Sequence, residues 1–434
     1  MPEPAQVGTA PHWPGPVSPE AVLDHVLPGT DVIVPLAVGE PVGLIDILDD
    51  AADGLEGVTV HQMHALVDHP YLDGRYGDHL RHTSYFLSPI TREHFHTGGV
   101  EFVPAHFSEV PLLLRANCRR PLILAAASPP DQHGYFSLGT NADYVAPFLG
   151  TWPIFLEVNE QMPRTFGRNS IHASQVLGWC RTDRPLVEVP PVEPDRFDRA
   201  IASLIAERIP DRATIQAGIG SIPNAVLAAL GGHRDLGIHT ELLSDGVIDL
   251  VESGVVTGVH KRRRPNQLVA TFALGTRRLY DFLHENPAVA FLPVDFVNDP
   301  RVIAQEPRMV SINATTEVDL LGQAASETIG GRYYSGSGGQ ADFARGAMFS
   351  EGGQGFLVTR STTRDGATTK IVPRLARGSV VTTLKNTVDK VVTEWGVAEL
   401  RGRSLRQRAV SLIEVAHPDF RDQLTREARK LGYL

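Results

Sequence analysis

The amino-acid sequence predicts an α/β fold built from two tandem open α/β domains. On both sides of a proline-rich break, short apolar segments alternate with glycine and proline turns and with helical stretches. The break lies between Arg184 and Arg199, where four prolines alternate with acidic residues in the manner of an extended linker. A chain of 434 residues is long for one hydrophobic core and suits two. We therefore expect an N-terminal domain over residues 1–190 and a C-terminal domain over residues 191–434.

Short apolar runs bounded by glycine and proline are typical of strands in parallel or mixed sheets with helices on their faces. In the N-terminal half these runs are Asp31–Ala37, Val58–Met63, Pro121–Ala127 and Pro153–Val158. In the C-terminal half they are Thr214–Ala217, Gly237–Glu241, Ala288–Leu292 and Arg308–Asn313. Between the two groups, the spacing of Ile201, Leu204 and Ile205 predicts an amphipathic helix over Phe197–Arg208.

A weak internal repeat is consistent with two related halves. The segments Asp31–Pro41 and Ala213–Pro223 each lead from a strand through glycine to a proline, and then into a helix with regularly spaced apolar residues. Each proline would lie in the first helical turn, where its missing N–H costs no hydrogen bond. Any two strand–helix units could share this appearance, so chance similarity is the alternative.

The charge balance argues against two classes of partner. There are 40 basic and 50 acidic residues, which gives a formal net charge of −10, and no basic stripe is evident for nucleic acid or an anionic membrane. The start of the chain is proline-rich and lacks the basic and apolar segments of a signal peptide. The apolar stretch Pro121–Ala127 is too short to span a bilayer. We therefore expect a cytoplasmic protein without a nucleic-acid or membrane partner. The net charge does not exclude a small anionic ligand, which needs only local donors.

The cysteines and histidines predict neither disulfides nor a metal site. Cys118 and Cys180 are the only cysteines and lie in no CxxC pair, which fits a reducing compartment. Eight of the seventeen histidines lie between residues 61 and 106. Two HxxH pairs occur there, His61 with His64 and His79 with His82. Metal ligation needs three or four converging ligands, and no HExxH motif or cysteine pair supplements these, so we expect ordinary surface or buried histidines.

A glycine-containing turn follows the strand expected at Thr214–Ala217 and precedes a helix. Its residues are Gly218, Ile219, Gly220, Ser221 and Ile222. Glycine lets backbone N–H groups approach a ligand closely, and a helix N-terminus favours anions. Pro223 stands where a Rossmann fingerprint has its third glycine, so the turn is not a dinucleotide fingerprint. It is consistent with an anion site and also with a tight turn that binds nothing.

A carboxylate lies where the strand expected at Gly237–Glu241 ends. Glu241 follows His239 and Thr240, and a helix is expected over Val247–Glu252. In open α/β sheets, sites gather at the carboxyl ends of strands, where a carboxylate can act as nucleophile or base. On position alone, the alternative is a solvated loop glutamate.

A second glycine-rich loop spans Ser335–Phe343. Gly336, Gly338 and Gly339 free its backbone to offer N–H groups as an oxyanion hole or a phosphate nest. The alternative is a flexible turn, although Phe343 and the alanine and methionine residues after it indicate a packed loop.

Taken together, these stretches resemble the acetyl-CoA hydrolase/transferase family, the class I CoA-transferases that include 4-hydroxybutyrate CoA-transferase. The resemblance runs from about Asp31 to Gln423. Besides the three loops it rests on Pro104–Pro111, Ser128–Gly139, Glu157–Thr165, Ser311–Asp319, Val392–Gly402 and Ala416–Arg421. It implies two domains of the CoA-transferase (NagB/RpiA-like) type, with CoA bound between them, usually in a homodimer.

The resemblance also implies roles for individual residues. The family's nucleophilic glutamate matches Glu241, and its asparagine in an Asn-x-Pro context matches Asn298. The CoA-binding turn matches Gly218–Ile222. The glycine loop that helps to hold the thioester oxygen matches Gly338 and Gly339, which are also expected to contact CoA.

The implied reaction moves CoA from an acyl-CoA, acetyl-CoA by family default, to a small carboxylic acid. It is expected to follow ping-pong kinetics through a thioester on Glu241, with CoA as part of the substrate and no metal or redox cofactor. Two alternatives stay open, an acyl-CoA hydrolase on the same scaffold and a CoA-binding protein without catalysis. Leu384, Lys390 and Trp395 depart from the family's usual residues, and we expect these changes to affect the acyl pocket rather than the reaction type.

Overall fold

The N-terminal half folds around a seven-stranded sheet in a computed structural model that describes residues 13–218 and 220–434. Its strand order is β10-β7-β5-β1-β2-β3-β4, and every neighbouring pair is parallel. The strands of this half are β1 (Asp31–Ile33), β2 (Val58–Gln62), β3 (Leu80–Ser84), β4 (Val100–Phe102), β5 (Pro121–Ala127), β6 (Tyr135–Ser137), β7 (Ile154–Asn159), β8 (Phe166–Gly167), β9 (Ser170–His172) and β10 (Gly178–Thr182). The α-helices are α1 (Val42–Asp50), α2 (Pro89–Thr97) and α3 (Val110–Asn117).

The C-terminal half contains a six-stranded sheet of order β12-β11-β17-β22-β24-β25, parallel except for its last pair. Its strands are β11 (Thr214–Ala217), β12 (Gly237–Ile238), β13 (Leu242–Leu243), β14 (Leu268–Ala270), β15 (Phe272–Ala273), β16 (Val289–Phe291), β17 (Met309–Ala314), β18 (Glu317–Asp319), β19 (Ala324–Ala325), β20 (Thr328–Ile329), β21 (Arg332–Tyr333), β22 (Gln354–Val358), β23 (Ile371–Val372), β24 (Lys390–Thr393) and β25 (Gly396–Glu399). The helices are α4 (Arg196–Ala206), α5 (Ser221–Ala229), α6 (Gly246–Glu252), α7 (Arg277–Leu283), α8 (Val294–Val297), α9 (Pro300–Ile303), α10 (Gln340–Phe349), α11 (Leu405–Glu414) and α12 (Pro418–Lys430).

The central strands are apolar because both faces of a parallel sheet are covered. Strand β7 is buried at every position, and β5 is buried at all positions after its first. Helix α4 begins with a capping box between Asp195 and Asp198, and it buries Ile201 and Ile205 on one face. The sequence therefore predicted the α/β class and this amphipathic helix correctly.

Two predicted strands end earlier than expected. The first stops at Ile33, because Pro35 has no N–H to donate and the chain then turns into a 3-10 helix over Ala37–Gly39. The strand predicted over Gly237–Glu241 is wrong as one element. It leaves the large sheet after Ile238 and continues as β13, which pairs with β15 in a separate small sheet.

The two halves pack against each other through one continuous apolar core. A hydrophobic cluster includes Leu114 and Leu156 from the N-terminal half and Leu243 and Leu283 from the C-terminal half. Strand β8 of the first half also pairs with β16 of the second half. The domain limit near residue 190 stays a prediction. Within the described part of the chain, no helix is both long enough and apolar enough to cross a membrane.

Candidate active site

The side chain of Glu241 is half-buried beside a fully buried asparagine. The Asn298 Nδ2 atom donates a hydrogen bond to Glu241 Oε2 at 2.9 Å. The main chain of Glu241 is fixed as well, because its carbonyl accepts hydrogen bonds from the N–H groups of Thr271 and Phe272, each at 3.0 Å. The structure thus brings together the glutamate and the asparagine that the sequence singled out.

Gly339 lies directly against the glutamate carboxylate. A Cβ atom at this position would lie 1.9 Å from Glu241 Oε2 and 2.3 Å from Asn298 Nδ2. Only glycine fits without displacing the carboxylate, and Gly339 is also the N-cap of the ten-residue helix α10. The first turn of this helix therefore begins beside Glu241, where its N–H groups favour negative charge.

The neighbouring Gly338 joins this loop to the N-terminal half. Its φ of +54° lies in the left-handed region that glycine adopts most readily. Its carbonyl accepts a hydrogen bond from the N–H of Phe107 at 3.0 Å. In the first turn of α10, Asp342 accepts hydrogen bonds from the Ser108 N–H at 3.2 Å and from the Ser108 hydroxyl at 2.9 Å. Two adjacent contacts therefore hold the Pro104–Pro111 segment against the glycine loop.

Burial makes both carboxyl groups of this site hard to ionise. It raises the pKa of Glu241 to about 7, and the nearby charge of Asp342 adds to the rise while the Asn298 hydrogen bond opposes it. The pKa of Asp342 is also raised to about 7, chiefly by burial and against the hydrogen bonds from Ser108. A carboxylate that titrates near neutrality in a cleft is a candidate nucleophile or base.

A mostly apolar cavity opens onto Glu241 between the two halves. It has a volume of about 100 Å³. The residues that line it are Leu36, Met63, His64, Phe86, Phe107, Glu241, Leu242, Phe272, Leu274 and Gly338. The imidazole of His64 is neutral at physiological pH, because burial and the positive charge of Arg92 lower its pKa to about 4. The cavity can therefore surround a small organic group next to the carboxylate.

The turn around Gly218 lies on the same edge of the C-terminal sheet as Glu241. Helix α5 begins at Ser221 and includes Ile222, and Gly220 is its N-cap. The hydroxyl of Thr240 lies 3.5 Å from the carbonyl oxygen of Ala217, the residue before the turn. Ile219 lies outside the described residues. Contact of this turn with CoA stays a prediction.

His239 is a structural neighbour of Glu241. Its Nε2 donates to the Val297 carbonyl at 2.8 Å, one residue before Asn298. Burial, together with the positive charge of Lys261, lowers the pKa of His239 to about 3, so the ring is neutral at physiological pH. The ring therefore connects the residue after β12 with the last residue of α8, which directly precedes Asn298.

Several residues of the candidate site were not identified from the sequence. Ser108 and Asp342 lie in stretches that had been singled out, but nothing in the sequence paired residues 234 positions apart. Met63 and His64 reach the cavity from the end of β2, and His64 formed part of an HxxH pair. The two histidines of that pair diverge, because His61 faces Asp31 instead.

Comparison with known proteins identifies the protein family and the class of enzyme. Residues 12–189 match the acetyl-CoA hydrolase/transferase N-terminal domain, and residues 275–428 match the C-terminal domain of the same name. The succinyl-CoA:cyclohexane-1-carboxylate CoA transferase of Geobacter metallireducens is 45% identical over 96% of this chain and 95% of its own length. The 4-hydroxybutyrate coenzyme A transferase of Clostridium kluyveri is 41% identical over 95% of this chain and 97% of its own length.

The fold agrees with these matches. The crystal structure of RipA from Yersinia pestis superposes with a TM-score of 0.92 at 36% identity, covering 96% of this chain and 98% of RipA. The chain therefore belongs to the acetyl-CoA hydrolase/transferase family. Within that family it is an enzyme of the CoA-transferase class, as the resemblance implied.

Proposed function

We propose that the enzyme moves CoA from an acyl-CoA, with acetyl-CoA as the donor, to a carboxylic acid through a thioester on Glu241. The observation that carries the proposal is the carboxylate of Glu241 at the wall of an apolar cavity, held by Asn298 and packed against Gly339. A nucleophile held in one orientation beside its substrate needs little reorganisation to react.

The first half-reaction forms the glutamyl thioester. A carboxylate oxygen of Glu241 attacks the thioester carbonyl carbon and the carbon–sulfur bond breaks. CoA departs as its thiolate, and an anhydride between the acyl group and Glu241 is formed. The thiolate then attacks the glutamyl carbonyl carbon, and the free acid departs as its carboxylate. The incoming acid repeats these steps in reverse and leaves with CoA. Each intermediate conserves the energy of the thioester, so the proposed chemistry uses no metal or redox cofactor.

The surroundings of Glu241 suit the charges that develop in these steps. The negative oxygen of each tetrahedral species forms near Asn298 Nδ2 and the backbone N–H groups of the Gly338–Gly339 loop at the start of α10. The apolar lining keeps water from the anhydride and the thioester. It also favours acids whose carbon chain is apolar. Gly218, Gly220, Ser221 and Ile222 offer the CoA-binding turn on the same sheet edge.

An exchange assay tests this function against hydrolysis. The enzyme is incubated with acetyl-CoA and labelled acetate, and both label in acetyl-CoA and total thioester are followed. Transfer predicts exchange of label without net loss of thioester, whereas hydrolysis predicts loss without an acceptor acid. Glu241→Gln abolishes exchange under the proposal, while the exposed control Glu351→Gln retains it. A protein that only binds CoA would show neither exchange nor hydrolysis.

A further inference from the structure

Three side chains that commonly bind metals converge in the N-terminal sheet, apart from the residues that line the Glu241 cavity. Asp31 is the first residue of β1, His61 lies in β2, and Cys118 lies between α3 and the start of β5. Strand β1 is flanked by β5 and β2, so the sheet topology brings the three together. One carboxylate oxygen, one imidazole nitrogen and the thiol sulfur all lie within 4.8 Å of one another.

The spacing of the two lighter ligand atoms suits a tetrahedral ion. Asp31 Oδ1 lies 3.3 Å from His61 Nε2. Bonds of about 2.0–2.1 Å from a tetrahedral Zn²⁺ to oxygen and nitrogen place those atoms about 3.3 Å apart. The sulfur of Cys118 lies within 4.8 Å of both of these atoms. The side chain of Asp31 is 19% exposed, so solvent reaches it and a water molecule is the natural fourth ligand.

Neighbouring groups already hold two of the ligands in orientation. Asp31 Oδ2 accepts hydrogen bonds from the backbone N–H groups of Arg119 at 2.7 Å and Arg120 at 3.0 Å, which turns Oδ1 towards the histidine. On the far side of the ring, His61 Nδ1 lies 3.1 Å from the hydroxyl oxygen of Tyr85. Outer partners of this kind fix ligand geometry in metal sites.

We propose that Asp31, His61 and Cys118 form a binding site for a divalent transition-metal ion, with Zn²⁺ as the preferred ion. The mixture of thiolate, imidazole and carboxylate favours zinc or cobalt over the hard ions magnesium and calcium. A carboxylate and a thiolate together balance the two positive charges. The bound ion would join the starts of β1 and β5 to β2, and this proposal does not depend on the function of Glu241.

The sequence predicted no metal site, because its HxxH pairs offered no third ligand. In the described structure those pairs separate. His64 lines the cavity, and His82 Nδ1 lies 3.0 Å from the Tyr71 hydroxyl. The ligands proposed here come from three distant segments, and their proximity depends on the strand order.

Cobalt titration of the full chain, after dialysis against a chelator, tests the site. A thiolate bound to Co²⁺ gives a near-ultraviolet charge-transfer band, which reports on cysteine ligation specifically. We expect a band that saturates at one Co²⁺ per chain and disappears when Zn²⁺ is added. Cys118→Ser should abolish it, and Cys180→Ser should retain it, since Cys180 is the only other cysteine.

A second variant, which keeps the thiol, tests the site independently in case Cys118→Ser does not fold. Asp31→Asn should weaken Co²⁺ binding at least about tenfold, with an unchanged circular dichroism spectrum. The proposal is overturned if the wild type shows no thiolate band at millimolar Co²⁺, or if the band survives in Cys118→Ser. It is also overturned if Asp31→Asn binds Co²⁺ as tightly as the wild type.

Discussion

At the scale of single residues, the site depends on a carboxylate that burial makes costly to ionise. Glu241 and Asp342 both have pKa values raised to about 7. A hydrogen-bond donor partly offsets the cost of ionising each carboxylate, Asn298 for Glu241 and Ser108 for Asp342. Such a glutamate is a stronger nucleophile than an exposed one when it is ionised. Its position depends on Gly339, whose missing side chain leaves the space that the carboxylate occupies.

We predict that Gly339→Ala lowers kcat about 100-fold, because its Cβ would lie 1.9 Å from Glu241 Oε2 and push the carboxylate aside. Steady-state kinetics of CoA transfer measure the effect. Gly231→Ala is the matched control, since a Cβ there meets nothing within 4 Å, and it should retain wild-type activity. Equal activity of the two variants would show that the contact does not position the nucleophile.

The raised pKa of Glu241 predicts the pH dependence of the reaction. In the proposed mechanism only the ionised carboxylate attacks, so kcat/KM should rise with pH through about 7. Asp342→Asn removes a negative charge that raises this pKa, and the acid limb should therefore move to lower pH. Asp50→Asn, an exposed change on α1, should leave the limb in place. An acid limb that moves to higher pH in Asp342→Asn would contradict the assignment.

At the scale of elements, helix α4 connects the linker to the C-terminal sheet through a charged cluster. Asp198 in its first turn is 1% exposed and accepts hydrogen bonds from Arg360 at 2.8 and 3.2 Å. Arg360 also contacts Asp195, the N-cap of the helix, at 2.9 Å. Arg360 follows β22, so these ion pairs hold the N-terminus of α4 against the C-terminal sheet.

We predict that Arg360→Ala lowers the free energy of unfolding by about 3 kcal/mol, because it leaves the buried Asp198 carboxylate without its charged partner. Urea denaturation measures the loss. The exposed pair Lys430–Glu427 supplies the control, and Lys430→Ala should cost less than about 1 kcal/mol. Similar losses for the two variants would contradict the role given to the buried cluster.

The secondary-structure elements also show which parts of the fold and the candidate site could be predicted from the sequence. Glu241 and the glycine turns follow strands or precede helices, and such positions are visible in the order of residues. The end of the strand at Ile238 could not be predicted from the order of residues. It depends on the pairing of β13 with β15, whose partner residues are 30 positions apart in the chain. The contact of Ser108 with Asp342 and the cluster of Asp31, His61 and Cys118 depend on strand order and domain packing. A local sequence pattern carries no information on strand order or on domain packing.

At the scale of the whole molecule, the cavity exists only because the two halves meet. His64 and Phe107 line it from the N-terminal half, while Glu241 and Phe272 line it from the C-terminal half. The hydrogen bonds of Phe107 to Gly338 and of Ser108 to Asp342 cross the same boundary. Under the proposed mechanism, the apolar residues at this boundary keep water from Glu241. The homodimer implied by the resemblance and the cytoplasmic location expected from the sequence stay predictions.

The most direct measurement of the central claim is to map the covalent adduct. The enzyme is incubated with acetyl-CoA in the absence of an acceptor acid, quenched, digested and analysed by mass spectrometry. We predict CoA attached as a thioester to the peptide that contains Glu241, and no adduct in Glu241→Gln. An adduct on any other residue, or exchange of acetate without a covalent CoA adduct, would contradict the account.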